Sequence, residues 1–322
     1  MSKKPTIVFL GTPEFAVPSL EILIQSDYII CAVVTVADKP SGRGQKLIHS
    51  PVKECALRHN LKVLQPTNLK DEQFIDELRS LNADLFIVVA FRMLPEAVWN
   101  MSKQGTFNLH GSLLPQYRGA APINWSVING DKKTVVTTFF LKKEIDTGNI
   151  ILQDELLIST TDTAGTLHDK LMIRGADLVL KTVKAIESGK VKTIDQNTLM
   201  VEELKPAPKL NRENTRLKIS MKPEEARNFI RGLSPYPAAH AELYNSNGIG
   251  FSLKIFSVDA VTESHSEEIG RVRTDGKNYV RVFLNSGYID ITELQISGRN
   301  RMSAKDFLNG SKLDGDWKIN EI

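Results

Sequence analysis

Three continuous apolar runs constrain this chain more than any other feature. They are TIVFLG at residues 6–11, IICAVVTV at 29–36 and DLFIVVA at 84–90. A strand with one wet face alternates apolar and polar residues. These runs do not alternate, so each strand must be covered on both faces. Residues 17–24, 51–61 and 69–81 read as helices, with a short strand at 61–64. Buried strands separated by helices predict an α/β fold with a parallel sheet between helical layers. Further strands are expected at 105–109 and 134–141. A long helix is expected over 163–190, where Leu167, Leu171, Ala176, Leu180 and Val183 form a stripe and Gly189 is a stop. In such sheets ligands gather at the carboxyl ends of the strands.

The pattern changes after residue 203. The stretch VEELKPAPKLNRENTRL is polar and broken by Pro206 and Pro208, which marks a linker. A helix follows at 222–233, with Pro223 in its first turn. Short strand-like runs at 239–244, 250–258, 270–274, 279–284 and 288–295 then predict a small β-barrel. The expected division is a first domain at 1–203, a linker at 204–212 and a second domain at 213–322. A length of 322 residues suits two domains.

Composition narrows the class. No window reaches about 18 apolar residues, so no membrane span is expected. The two lysines at the start precede too short an apolar run for a signal peptide. Cys31 and Cys55 make neither a disulfide framework nor a zinc set, which suggests a reducing cytoplasm. His49, His59, His168, His240 and His265 show no metal-ligand pairing, so no metal is expected. Trp125 reads as a core residue.

The net charge of +3 names no partner, but it hides two basic windows. Residues 39–62 carry six basic side chains against the single acid Glu54. Residues 205–231 carry eight against three acids. Each is either a solvated surface or part of a footprint on a phosphate backbone, where each neutralised phosphate releases counterions.

The chemistry gathers after the strand at 105–109. In Asn108-Leu109-His110, strand alternation puts the amide and the imidazole on one side. An imidazole titrates near neutral pH. An acid follows at Asp146, within IDTG, past the strand that begins at Thr134. Asn, His and Asp meeting at strand ends suit acyl transfer without a covalent intermediate. Donors stabilise an oxyanion, and a carboxylate supports the imidazole or relays a proton. On the residues alone, a lone histidine after a strand is more often structural than catalytic.

The run FNLHGSLLPQYRGAAPINW, with IDTG downstream and FLGTPEFAVPSL near the start, resembles the 10-formyltetrahydrofolate-dependent formyltransferases. The resemblance extends to the basic loop DKPSGRGQKLIHSPVK, to FIRGLSPYP and to LQISGRNRMSAKDFLNG, and so covers nearly the whole chain. It implies a Rossmann-like, mostly parallel sheet followed by an OB-like barrel domain. It implies Asn108, His110 and Asp146 as the catalytic trio, with 10-formyltetrahydrofolate as cosubstrate and no metal. The pterin is expected against the backbone of Val89, Ala90, Phe91, Arg92, Met93 and Leu94. Ser112, Leu113, Leu114 and Pro115 should lie beside it, with Phe140 and Leu141 closing the pocket. Phe91-Arg92 departs from the Tyr-Gly pair usual in the family.

The basic loop and the second domain point, within the family, to initiator methionyl-tRNA as the formyl acceptor. Arg43 and Lys46 would reach the acceptor end, and Lys205, Lys209 and Arg212 the backbone further along. The product would be formylmethionyl-tRNA for translation initiation by a cytoplasmic monomer. The alternative acceptor is an amino sugar or a ribonucleotide amine.

Overall fold

The computed structural model describes residues 4–41, 46–199, 203–248, 250–311, 313 and 315–319. The chain forms two compact units. The first comprises Met1–Pro122, Lys133–Leu156 and His168–Pro206, and the second Ile123–Lys132, Leu157–Leu167 and Ala207–Ile322. The units part between Pro206 and Ala207, but two early segments join the second, which the division at 203/213 did not anticipate. The cause is long-range hydrogen bonding within that unit. Asn124 Nδ2 donates to Gly232 O at 2.8 Å, Gly165 N to Ser234 O at 3.0 Å, and Arg231 Nη1 to Asp162 O at 2.8 Å. Trp125 is half-buried rather than core, and its indole donates to Pro208 O at 2.8 Å.

In the first unit the strands are β1 (Ile7–Gly11), β2 (Ile30–Val34), β3 (Lys39–Ser41), β4 (Lys46–Ile48), β5 (Val63–Leu64), β6 (Leu85–Val89), β7 (Thr106–His110), β8 (Lys133–Phe140) and β9 (Ile150–Leu157). Its helices are α1 (Val17–Gln25), α2 (Pro51–Arg58), α3 (Glu72–Ser80) and α4 (Glu96–Trp99); α5 (Pro122–Ile128) and the long α6 (Ala164–Glu187) follow in the chain. Among the described residues seven strands form one sheet in the order β5-β2-β1-β6-β7-β8-β9. Strands β2, β1, β6 and β7 run parallel to one another, and β8 is antiparallel to β7. β3 and β4 form a separate antiparallel hairpin.

The apolar runs are covered on both faces, as their lack of alternation requires. Val8, Leu10, Ala32, Val34, Phe86 and Val88 pack with Phe74 and Leu78 of α3 on one side. Ile7, Phe9, Val33, Leu85, Ile87 and Val89 have no exposure on the other. Helix starts are set locally. Ser50 caps α2 by accepting from Lys53 N, with Pro51 at the first position, and Asp71 caps α3 by accepting from Phe74 N. β9, unassigned by the sequence reading, has an alternating second half, IILQDELL, as an edge strand should.

In the second unit α7 (Pro223–Leu233) precedes β10 (Ala239–Asn245), β11 (Gly250–Thr262), β12 (Arg271–Thr274), β13 (Val280–Leu284), β14 (Gly287–Ile296) and β15 (Met302–Ser303). Helix α8 (Ala304–Gly310) and β16 (Trp317–Ile319) complete it. The order β11-β10-β16-β12-β13-β14 closes on itself through a β11–β14 pairing, giving a six-strand barrel, with β15 pendant on β14. The three-residue β16, absent from the sequence reading, is the stave that joins β10 to β12. The barrel core holds Leu243, Ile255, Val282, Ile289 and Trp317, with Phe229 and Ile230 of α7 packed in.

Candidate active site

The site grows from the carboxyl end of β7. Asn108 lies between Val88 of β6 and Phe139 of β8, and His110 lies opposite Thr137. Asn108 is half-buried, and among the described residues its side chain has no hydrogen-bond partner. Its amide is therefore available to a ligand. His110 is buried, with its ring edge-on to Phe139 at 6.3 Å.

The chain after His110 folds back on itself. Thr137 Oγ1 donates to Ser112 O at 2.7 Å, and Ser112 Oγ donates to Gln116 O at 2.8 Å. Tyr117 adopts φ 60°, in the left-handed region, and its carbonyl lies 3.0 Å from His110 Nε2. A carbonyl only accepts, so Nε2 carries the proton in this contact. Nδ1 is left outside this contact.

Asp146 sits in the turn between β8 and β9, also at a left-handed φ, of 56°. Its Oδ2 accepts from Gly119 N at 3.0 Å. Two residues later the chain passes so close to β8 that a Cβ on Gly148 would lie 1.5 Å from Phe140 O, so only glycine fits. The strand ends thus present an amide, an imidazole and a carboxylate. The 117–119 loop touches two of the three, through the Tyr117 carbonyl and the Gly119 N–H.

Gln196, Arg118 and the 117–119 loop had no role in the sequence reading. Gln196 is 2% exposed and bonds both the Asp146 turn and Arg118. The loop's sequence signal is that Tyr117-Arg118-Gly119 lies inside the run QYRGAAP, and Gln196 has none.

The expected pterin residues fall in three places. Val89 ends β6 fully buried, and Ala90 turns at φ 48°. Leu94 is buried, and Phe91 packs against the same cluster, whereas Met93 is 74% exposed. Arg92 turns away along the surface, donating to Thr67 O at 3.0 Å and to Pro66 O. Leu114 and Pro115 are buried beside Ser112, and Leu113 is exposed. Phe140 ends β8 half-buried, and Leu141 packs against two clusters, one of them containing Leu114 and Phe139.

The basic residues fall in different parts of the chain. Arg43 lies outside the described residues, as does the Lys46 side chain, although the Lys46 backbone begins β4. Lys205 belongs to the first unit, its Nζ 5.8 Å from the Tyr117 ring centroid, while Lys209 and Arg212 belong to the second. Arg212 lies 3.6 Å from Glu242.

The β3–β4 hairpin has a built base. Asp38, just before β3, accepts from Lys53 Nζ and from Gln65 Nε2 at 2.9 Å, and His49 Nδ1, just after β4, lies 3.1 Å away. The Lys53 ammonium first, then Gln65, holds the Asp38 carboxyl down to about 2.

The expectation that no histidine pairs with metal-ligand types needs one correction. Cys55 and His59, four apart from α2 onward, meet Glu21 of α1 with ligand atoms all within 4.8 Å of one another. The Glu21 carboxylate already has a cation there, since Arg58 Nη2 donates to it at 3.0 Å.

The sequence matches the formyl transferase family over residues 5–183 and the C-terminal formyl transferase domain over residues 209–312. The chain belongs to the formyl transferase family.

Its curated relatives agree in kind and in length. A methionyl-tRNA formyltransferase of Phocaeicola vulgatus is 53% identical over 323 residues, covering 99% of this chain and 100% of the relative. One of Bacteroides thetaiotaomicron is 51% identical over 315 residues, covering 98% of each. Among solved structures, a sugar 3N-formyl transferase (WlaRD) with dTDP and 5-N-formyl-THF aligns at TM-score 0.65 and 21% identity, covering 92% of this chain and 100% of that one. HypX of Aquifex aeolicus in complex with tetrahydrofolic acid aligns at TM-score 0.60 and 15% identity, covering 99% of this chain and 51% of that one. At these identities the solved structures establish the formyl transferase fold. No described helix of this family member is long and apolar enough to cross a membrane.

Proposed function

We infer that this formyl transferase moves the formyl group of 10-formyltetrahydrofolate to the amino group of initiator methionyl-tRNA, in the cytoplasm. One observation carries the choice of acceptor. Relatives about half identical over nearly the full length of both chains are methionyl-tRNA formyltransferases. The solved formyl transferases with other acceptors share the fold at far lower identity.

The chemistry assigned to the site is direct acyl transfer. The methionyl amine attacks the formyl carbon, a C–N bond forms, and the former carbonyl oxygen takes up negative charge. Asn108 and His110 Nδ1–H donate to that oxygen, the usual way to lower such a barrier. Asp146 takes the proton lost by the amine, directly or through water; as the oxyanion collapses the bond from the formyl carbon to the folate nitrogen breaks, and that proton passes to the nitrogen, which leaves as tetrahydrofolate. No serine or cysteine nucleophile is required.

The folate is assigned to the slot between the ends of β6 and β8. Its supports are the buried Leu94 and Leu114, the partly buried Leu141 and the backbone turn at Ala90, an apolar setting in which backbone groups suit a flat, donor- and acceptor-rich pterin. Arg92 is assigned to it through its backbone alone, because its guanidinium is held by Pro66 and Thr67. On the tRNA side we assign Arg43 and Lys46 to the acceptor end and Lys205, Lys209 and Arg212 to the phosphate backbone. Guanidinium and ammonium groups there position the RNA without specifying its sequence.

Purified protein given 10-formyltetrahydrofolate and charged initiator tRNA should yield formylmethionyl-tRNA. Absence of that product, with formylation of an amino sugar nucleotide or a ribonucleotide amine instead, would replace the acceptor assignment.

A further inference from the structure

Gln196 takes no part in the chemistry above, yet it joins the two loops that carry it. An amide side chain has two N–H donors and two carbonyl lone pairs. Here all four are used inside the protein. Nε2 donates to Asp146 O at 2.9 Å and to Gly148 O at 2.7 Å. Oε1 accepts from Arg118 Nε at 3.1 Å and Nη2 at 2.7 Å.

Each end of this bridge holds a different reactive group. The two carbonyls belong to the turn that keeps Asp146 in a left-handed conformation. Non-glycine residues hold such a conformation only where their surroundings fix it. Arg118 lies between Tyr117, whose carbonyl receives His110 Nε2, and Gly119, whose N–H binds the Asp146 carboxylate. Gln196 is itself anchored. Asp195 caps its turn by accepting from Asn197 N at 3.0 Å, and Ile194 pairs with Ile150 at the start of β9.

We propose that Gln196 is a positioning residue for formyl transfer, locking the Asp146 turn to the 117–119 loop so that carboxylate and imidazole keep one separation through turnover. The proposal rests on the assignment of His110 and Asp146 to the transfer step. The residue type follows from the geometry. Leucine would leave two carbonyls and part of a guanidinium unmatched in a buried place. Glutamate would keep the acceptor for Arg118 but set a second acceptor against the carbonyls of Asp146 and Gly148.

The test measures formylation of charged initiator tRNA by Gln196→Leu and Gln196→Glu at saturating 10-formyltetrahydrofolate, with melting temperatures alongside. Misplacement of reacting groups by about 1 Å costs roughly 100-fold. The expected result is therefore a loss in kcat of about 10- to 100-fold, KM values for both substrates close to the parent, and a displaced pH profile of kcat. A merely structural role would lower the melting temperature and leave kcat of the folded protein and its pH profile unchanged, and that result overturns the proposal. If Gln196→Leu does not fold, Gln196→Glu decides, because it preserves size and the Arg118 acceptor; parent-like kcat in that variant also overturns it. A parent protein that forms no formylmethionyl-tRNA refutes the functional reading itself. An active parent with equally active variants refutes only the role of Gln196.

Discussion

The two halves of the first sheet are built differently. β1, β2 and β6 form its parallel half, and all but one of their residues are buried, Cys31 of β2 being the exception. β7 and β8 form an antiparallel pair that carries Thr106, Asn108, His110, Thr137 and Thr138, with Asp146 in the turn beyond. The side chains of the parallel half contribute almost entirely apolar burial. The antiparallel half gives up part of that apolar burial to polar side chains, and the candidate chemistry lies there. The difference teaches that one sheet can separate stability from reactivity strand by strand.

That separation can be broken by substitution. The largest effect expected in the parallel half is on folding. Ile87→Ala removes a fully buried side chain between Phe9 and Phe107 and should cost about 2–5 kcal/mol. Denaturant titration measures this loss, and kcat of the folded fraction should be unchanged. If turnover fell as steeply as stability, the two halves would not be separable.

Asn108→Ala should do the reverse. Its side chain has no partner among the described residues, so the unfolding midpoint should barely move. Loss of one oxyanion donor should lower kcat roughly 10²–10³-fold. Steady-state formylation kinetics together with a melting curve check both parts. A stable variant with parent-like kcat would remove Asn108 from the transfer step.

A smaller effect concerns the hairpin base and sharpens the comparison from outside the sheet. The Asp38 carboxyl is held at about 2, below its ordinary value of 3.8. A group lowered on folding contributes stability that is present in full above the ordinary value. That stability is lost as pH falls toward the folded value. Asp38→Asn should therefore be less stable than the parent at neutral pH, and the gap should close between about pH 4 and pH 2. Unfolding midpoints measured across that range would test it; a gap that stays constant would show that Asp38 acts through packing and not through charge.

What was legible in the sequence follows the same division. The runs 6–11, 29–36 and 84–90 identified the parallel half because burial on both faces leaves a local signature. Asn108, His110 and Asp146 stood out in the sequence because they sit in short motifs that resemble those of a known family. Gln196 did not, because its partners lie 50 and 78 residues away and a lone amide has no pattern of its own. β16 was missed because three residues carry no period. The membership of 123–132 in the second unit was missed because it depends on bonds such as Asn124 to Gly232, 108 residues apart. Continuous burial writes itself into neighbouring residues, whereas a hydrogen-bonded bridge between loops does not.

We assign formyl transfer to methionyl-tRNA to the β7–β8 pair and the turn beyond it. The most direct test of that assignment is a single-turnover measurement with charged initiator tRNA and excess 10-formyltetrahydrofolate, comparing the parent with Asp146→Asn. The substitution keeps an oxygen for Gly119 N–H but removes the proton acceptor. The expected result is formylmethionyl-tRNA from the parent and a rate roughly 10²–10⁴-fold lower from the variant, with tRNA affinity little changed. Equal rates for the two proteins would contradict it.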